Sequence, residues 1–215
     1  RLSGHQHDFL LVHAGGESKK VWYSVQERLS RAGLGSAAFD QRGHGESSGS
    51  RAEDIQTFAN DLVAMIAACE KPRIIVGASL GGLAAILALQ DAETRQGLCG
   101  LVLVDVVPAP DPIRVRQFLA STAPHLADTF LVDNILTKGQ ELSAALEKID
   151  IPLLLVRAGQ SGPMSNEEVY NLRRLRPGLM VEHVDTAGHL IARDEPRKLA
   201  DILLRFEQSA QVRNT

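Results

Sequence analysis

The run Val76-Gly77-Ala78-Ser79-Leu80-Gly81-Gly82 sets a serine among small residues where an extended segment gives way to a helical one. Upstream, Arg73 to Val76 (RIIV) is a β-branched run suited to a central strand, and downstream Leu83 to Leu89 (LAAILAL) is a run of good helix formers. A sharp turn between them forces its central residue into strained backbone geometry, and Gly77 and Gly81 remove side chains that would collide there. Ser79 is thereby pushed out above the sheet. The helix beginning at Leu80 points its unpaired N–H groups and its positive dipole end at the same spot, which favours negative charge developing beside the serine hydroxyl.

Outward from this elbow, apolar runs alternate with helical patterns. Strands are expected near 9–12, 35–39, 73–77, 100–106, 152–156 and 179–184, and helices near 20–32, 53–69, 80–92, 139–148, 166–175 and 195–208. Strand, helix, strand repeated in this way implies an α/β fold with a mostly parallel central sheet covered by helices on both faces. Reactive residues should then gather at the carboxyl ends of the strands. At 215 residues and 44% hydrophobic, the chain can close one sizeable core. Residues 1–107 and 151–215 read as two parts of that core, and residues 108–150 as a short lid insertion with helices near 111–121 and 126–137.

In order along the chain, four further motifs accompany the elbow. Phe9-Leu10-Leu11-Val12-His13-Ala14-Gly15-Gly16 is a strand followed by a small-residue turn, and Asp40-Gln41-Arg42-Gly43-His44-Gly45-Glu46-Ser47 has the form D-x-R-G-H-G-x-S. Leu101 to Pro108 (LVLVDVVP) is the strand after the elbow helix, and Thr186-Ala187-Gly188-His189 is a loop ending on histidine. Together they resemble the α/β-hydrolase family, across nearly the whole chain. Two departures stand out. Only about eight residues precede the first clear strand, where the family opens with an antiparallel pair. The segment from Val107 to Ile151 is shorter than the helical cap the family commonly carries.

A serine hydroxyl is a poor nucleophile until a base takes its proton. His189 is the candidate base, since it alone of seven histidines follows a strand and a small-residue turn, Ala187-Gly188, that lets the ring reach toward Ser79. The alternative reading is a surface-loop histidine. In many relatives the acid that orients this histidine follows the strand matching Pro152 to Arg157, yet here the turn reads Ala158-Gly159-Gln160-Ser161-Gly162-Pro163-Met164-Ser165, with Gly162 at the expected position. Asp105, at the end of the strand after the elbow helix, is the candidate replacement, as some α/β-hydrolases carry their acid there. Its alternative reading is a loop cap through backbone N–H groups. Asp185 and Glu168 are lesser candidates. The resemblance implies an oxyanion hole formed by the N–H groups of Leu80 and Gly15, with Gly16 adjacent and Ala14 replacing the usual first glycine. His13, Asp40, Arg42 and His44 read as structural residues holding loops. Trp22 and Met164 are candidates to line the pocket, with apolar packing the alternative account.

Other classes are disfavoured. The formal net charge is -3, with no stripe of lysine or arginine, so nucleic-acid binding is not expected. No apolar run reaches membrane-spanning length, and Arg1 to Asp8 lacks the apolar core of a signal peptide. Cys69 and Cys99 lie far apart without metal-ligand spacing, which favours a reduced, cytoplasmic setting. His5 and His7 form an H-x-H pair without further ligands. The expectation is a cytoplasmic serine hydrolase, needing no cofactor or metal, that cleaves a small apolar ester, thioester or lactone through an acyl-enzyme on Ser79. Carbon–carbon bond hydrolysis with the same residues is an alternative, and so is a weakly active ligand-binding relative that lacks its acid. The expected partner is the small-molecule substrate, and no pattern in the chain specifies an oligomeric state.

Overall fold

The computed structural model describes residues 8–49, 54–69, 72–127, 129–160 and 162–213. The His5/His7 pair and the start of the helix expected from residue 53 lie outside them. Strands β1 (Phe9–Val12), β2 (Ser36–Phe39), β3 (Ile74–Ala78), β4 (Gly100–Val104), β5 (Leu153–Ala158) and β6 (Met180–Val184) form one sheet in the order β2-β1-β3-β4-β5-β6. Every pairing is parallel. Connecting them are α1 (Tyr23–Arg31), α2 (Ile55–Ala68), α3 (Leu80–Ala88), α4 (Ala92–Arg95), α5 (Pro112–Thr122), α6 (Pro124–Ala127), α7 (Phe130–Thr137), α8 (Gly139–Glu147), α9 (Asn166–Leu175), α10 (Ile191–Asp194) and α11 (Pro196–Arg213).

The strands are apolar without interruption because both sheet faces are covered. Leu10, Val12, Ile75, Leu101, Leu103, Leu153 and Leu155 point to one layer, with residues of α2, α3, α8 and α9. Phe9, Leu11, Ile74, Val76, Val102, Val104, Leu154 and Val156 point to the other, with α1 and α11. Helix α3 is buried on every side, since it sits on the sheet and is flanked by α2 and α8. Arg176, beyond α9, donates to the carbonyls of Leu146, Ile149 and Ile151, tying the exit of α8 to β5.

Four boundaries differ from the sequence reading. The strand expected over 100–106 stops at Val104, because Asp105 turns out of the sheet with φ +50°. The helix expected over 80–92 ends at Ala88 and resumes briefly as α4, after the Asp91 carboxylate caps it by accepting from the Glu93 N–H. The first expected helix divides into a 3-10 turn, Lys19–Trp22, and α1. The segment 111–137 holds three helices rather than two. Among the described residues no helix is long and apolar enough to cross a membrane.

From β1 the chain moves outward to β2 and then returns past β1 to β3. Strand order therefore reverses between β1 and β3, and loops leaving their carboxyl ends diverge to leave a crevice. The elbow closes one side of it by direct backbone contact. A Cβ on Gly77 would lie 2.5 Å from Gly82 Cα, and one on Gly81 would lie 2.6 Å from the Val12 carbonyl oxygen. Only hydrogen fits at either place. Gly77→Ala should cost about 1–3 kcal/mol, the usual range for overpacking, and lower Tm by several degrees. Gly178→Ala, with nothing within 4 Å of its Cβ, serves as the control and should stay within about 0.5 kcal/mol of the parent. Equal unfolding curves for all three proteins would contradict this packing account.

Candidate active site

Ser79 follows β3 directly and has φ 46° and ψ −113°, a conformation rare for any residue but glycine. The surroundings enforce it: the Ser79 N–H donates to the Val104 carbonyl at 3.2 Å, and its own carbonyl accepts from Gly82 N and Leu83 N at 2.9 and 3.1 Å. With both backbone groups held, the side chain projects above the sheet, half-buried. The Leu80 side chain lies beneath Gly15, whose Cβ, if present, would sit 3.6 Å from Leu80 Cδ2. The turn after β1 and the first residue of α3 are thus neighbours. Gly16 has φ +78°, the left-handed conformation glycine adopts without strain.

Asp105 leaves the end of β4 and is 1% exposed in its side chain. Its carboxylate is held at both oxygens: Oδ1 accepts from the Ala158 N–H at 2.9 Å, and Oδ2 lies 2.8 Å from His189 Nδ1. A carboxylate only accepts, so Nδ1 carries the proton and Nε2 keeps the lone pair. The ring is further fixed by Phe118 of α5, which meets it edge-on at 4.9 Å between centroids. Asp194 holds the loop before it by accepting from the Gly188 N–H at 3.0 Å. The two rival carboxylates are placed elsewhere. Glu168 closes the capping box of α9, its Oε2 accepting from Ser165 N at 2.5 Å, and Asp185 is exposed.

Ser79, Asp105 and His189, contributed by loops after β3, β4 and β6, line one cavity of about 690 Å³. Ala14, Gly15 and Gly16 line it from the end of β1. Its remaining wall is mostly apolar: Phe58 and Leu83 from below, Val115 and Phe118 of α5, and Leu131 and Ile135 of α7. The Ser79 side chain makes no hydrogen bond to another described residue, and such contacts often tighten only when substrate is present.

Trp22 and Met164 do not line this cavity, which corrects the expectation for both. Trp22 is completely buried below the sheet among Phe9, Val25 and Leu29, and Met164 is buried in the opposite layer. In a sequence a core aromatic and a pocket aromatic look alike. Phe118 was not anticipated, because which face α5 turns to His189 depends on how that helix docks.

The D-x-R-G-H-G-x-S loop is held by contacts within itself and to its neighbours Lys19 and Asp61. Asp40 accepts from the Lys19 and Glu46 N–H groups at 2.6 and 3.0 Å and pairs with the Lys19 ammonium at 3.2 Å. Arg42 grips Asp61 with two hydrogen bonds, at 2.8 and 2.6 Å. His44 donates from Nδ1 to the Arg42 carbonyl at 2.9 Å and, alone among these, also lines the cavity. His13 is fully buried, with Nδ1 donating to the Ala14 carbonyl at 2.8 Å and Nε2 accepting from the Gln41 N–H at 3.0 Å.

Residues 5–138 match the family described as serine aminopeptidase, S33. The chain belongs to this family of α/β-hydrolases. It is similar to esterase PIR7B of Oryza sativa subsp. japonica, 24% identical over 92% of this α/β-hydrolase and 94% of the rice protein. It is also similar to N-formylmaleamate deformylase of Pseudomonas putida, 27% identical over 91% of this chain and 86% of that one. A lipase-esterase related protein from Clostridium acetobutylicum has the same fold, with a TM-score of 0.76 at 16% identity, over 94% of this hydrolase and 95% of that chain.

His13 gives the hydrolase a pH-dependent stability. Burial, reinforced by the nearby His44, holds its pKa below the ordinary 6.5, against the opposing pull of the Ala14 carbonyl and Asp40. Between the lowered folded value and 6.5, the unfolded chain binds the extra proton. Stability is therefore complete above pH 6.5 and is lost as the pH falls through that window, by up to ~1.4 kcal/mol per pH unit. Denaturant unfolding at a series of pH values from about 8 down to about 5 should show this loss in the parent and less of it in His13→Asn. Parallel curves for the two proteins would contradict it.

Proposed function

We propose that this protein is a serine hydrolase that cleaves an apolar ester, thioester or lactone through an acyl-enzyme on Ser79. The observation that carries the reading is the buried Asp105 carboxylate on His189 Nδ1, in the same cavity as Ser79. His189 Nε2 takes the proton of the Ser79 hydroxyl as Oγ attacks the substrate carbonyl. The resulting oxyanion is met by the N–H groups of Leu80 and Gly15, aided by the dipole of α3. Collapse of the intermediate breaks the bond to the leaving alcohol or thiol, which receives the proton from His189. Water, deprotonated by the same nitrogen, then attacks the acyl-enzyme and releases the acid. Asp105 keeps the proton on Nδ1 and stabilises the imidazolium that forms in each half-reaction.

The esterase and thioesterase names among similar proteins support this reaction class. The deformylase among them, whose name specifies a different bond, leaves the nature of the leaving group to the shape of the cavity. The alternative of a weakly active ligand-binding relative rests on glycine at position 162, and the Asp105 carboxylate 2.8 Å from His189 Nδ1 argues against it. Residues 108–150 are the proposed lid, with α5 and α7 forming the apolar wall that would receive the acyl chain. The two free thiols, Cys69 and Cys99, fit the proposed cytoplasmic setting.

On p-nitrophenyl esters, Asp105→Asn should lower kcat by roughly 10³–10⁴ with little change in KM, and Ser79→Ala should abolish the acyl-enzyme burst. An unchanged rate in Asp105→Asn would remove that carboxylate from the mechanism. Each methylene buried against the α5 and α7 wall contributes up to about 0.8 kcal/mol. kcat/KM should therefore rise by up to about 10²-fold over the four methylenes from acetyl to hexanoyl esters, and a flat or falling profile would reject the proposed acyl site.

A further inference from the structure

His44 lines the cavity but has no part in the proposed acyl transfer. It sits in the loop after β2, and its Nδ1 lies 2.9 Å from the Arg42 carbonyl. A carbonyl only accepts, so Nδ1 carries the ring proton and Nε2 a lone pair. Nε2 makes no hydrogen bond to any described residue. Nor is it sealed in, since among the described residues Trp22 Nε1 is the only buried side-chain nitrogen or oxygen without a partner. The ring packs against His13, at 5.2 Å between centroids, and against Phe58 of α2, at 6.3 Å. With its Nδ1 edge tied to the loop, His44 offers the cavity its opposite edge, an open acceptor.

The sheet order decides which part of a substrate meets this acceptor. Along the carboxyl edge the loops run from β2 (His44) through β1 (Gly15) and β3 (Ser79) to β4 (Asp105) and, at the far end, β6 (His189). Ser79 therefore stands between the two cavity histidines. The leaving atom must face His189, which gives it a proton, and the carbonyl oxygen faces the N–H groups of Gly15 and Leu80. The acyl chain is left to run away from His189, toward α2, α7 and His44. β2 and β3 are two strand spacings apart, about 10 Å, a reach that a medium-length acyl chain covers. The wall there is otherwise apolar, with Phe58, Leu131 and Ile135. Two threonines of the cavity, Thr122 and Thr129, already donate from Oγ1 to the Phe118 and Leu126 carbonyls, at 2.7 and 3.1 Å. A plain hydrocarbon passing His44 would strip water from Nε2 and return nothing, whereas a hydroxyl would replace the lost hydrogen bond. An amide is a poorer match, because its carbonyl would find no donor among these side chains. We infer that the preferred acyl group is an apolar chain bearing one hydroxyl, which donates to His44 Nε2, and that His44 is a specificity-determining residue. This assignment rests on the acyl-enzyme proposed above and adds the chemistry of the group transferred.

Hydrolysis of ethyl hexanoate and of its 3-, 5- and 6-hydroxy derivatives tests it, followed by acid release at about pH 8, where imidazole is neutral. In the parent protein, kcat/KM for the best hydroxy ester should exceed that for ethyl hexanoate by roughly 10-fold, the scale of one hydrogen bond. His44→Leu should bring that ratio to about one or below. His44→Gln, whose amide oxygen reaches the same region and accepts, should restore severalfold of it. Because the ratio is taken within one protein, loss of folded enzyme cancels, and a merely structural role for His44 would leave the ratio unchanged in both variants. A parent that prefers ethyl hexanoate to all three hydroxy esters overturns the inference, as does a ratio in His44→Leu equal to the parent's. Should His44→Leu fail to melt cooperatively, His44→Phe removes the acceptor while keeping a ring and is read by the same ratio. Absence of all ester turnover in the folded parent, with Ser79 unlabelled by a fluorophosphonate, would instead reject the underlying acyl-enzyme, so the two failures are distinguishable.

Discussion

Three backbone segments meet in this protein with no side chain between them. The amino end of α3 lies against both β3, through Gly77 and Gly82, and the carboxyl end of β1, through Gly81. This approach forces the strained conformation of Ser79, lifts its hydroxyl above the sheet, and sets the first N–H of α3 beside the turn that carries Gly15. The strain is held by hydrogen bonds at both ends of the residue and by a helix buried on every side. Nothing else in the site has meaning without it, since the histidine and its carboxylate only matter if a hydroxyl waits at the switch point between β1 and β3.

The second constraint is electrostatic and comes from strand ends far apart in the chain. Asp105 is buried, and a buried carboxylate is tolerated only where donors meet its oxygens. The Ala158 N–H supplies one and His189 the other. The pairing works in both directions, because the carboxylate fixes which nitrogen of the ring bears the proton while the ring satisfies a charge that would otherwise destabilise the fold. Glycine at position 162 leaves room beside it, since a Cβ there would lie 2.6 Å from Asp105 Oδ2.

Much of this was legible in the sequence, and the remainder had identifiable physical reasons for being hidden. The elbow was legible because Gly77, Ser79 and Gly81 stand between a β-branched run and a run of helix formers, all within local reach. The parallel sheet was legible because strands covered on both faces read as continuous apolar runs. The partner of His189 was legible only as a choice among Asp105, Asp185 and Glu168, since a contact spanning 84 positions leaves no local pattern. Trp22 and Met164 read equally as pocket or core residues in the sequence, because burial in a core and burial against a ligand ask for the same side chains. Phe118 was missed for the complementary reason, as its role follows from the docking of α5. Gly162 was legible as a missing carboxylate, but the clearance it provides for Asp105 appears only in three dimensions.

The central claim is that Ser79 is activated by His189 held on Asp105. It is tested most directly by treating the protein with a fluorophosphonate and locating the adduct by peptide mass spectrometry. The account predicts one stoichiometric adduct, on the peptide containing Ser79, formed far more slowly when Asp105 is asparagine. An intact protein that forms no adduct, or forms it at another residue, would contradict it.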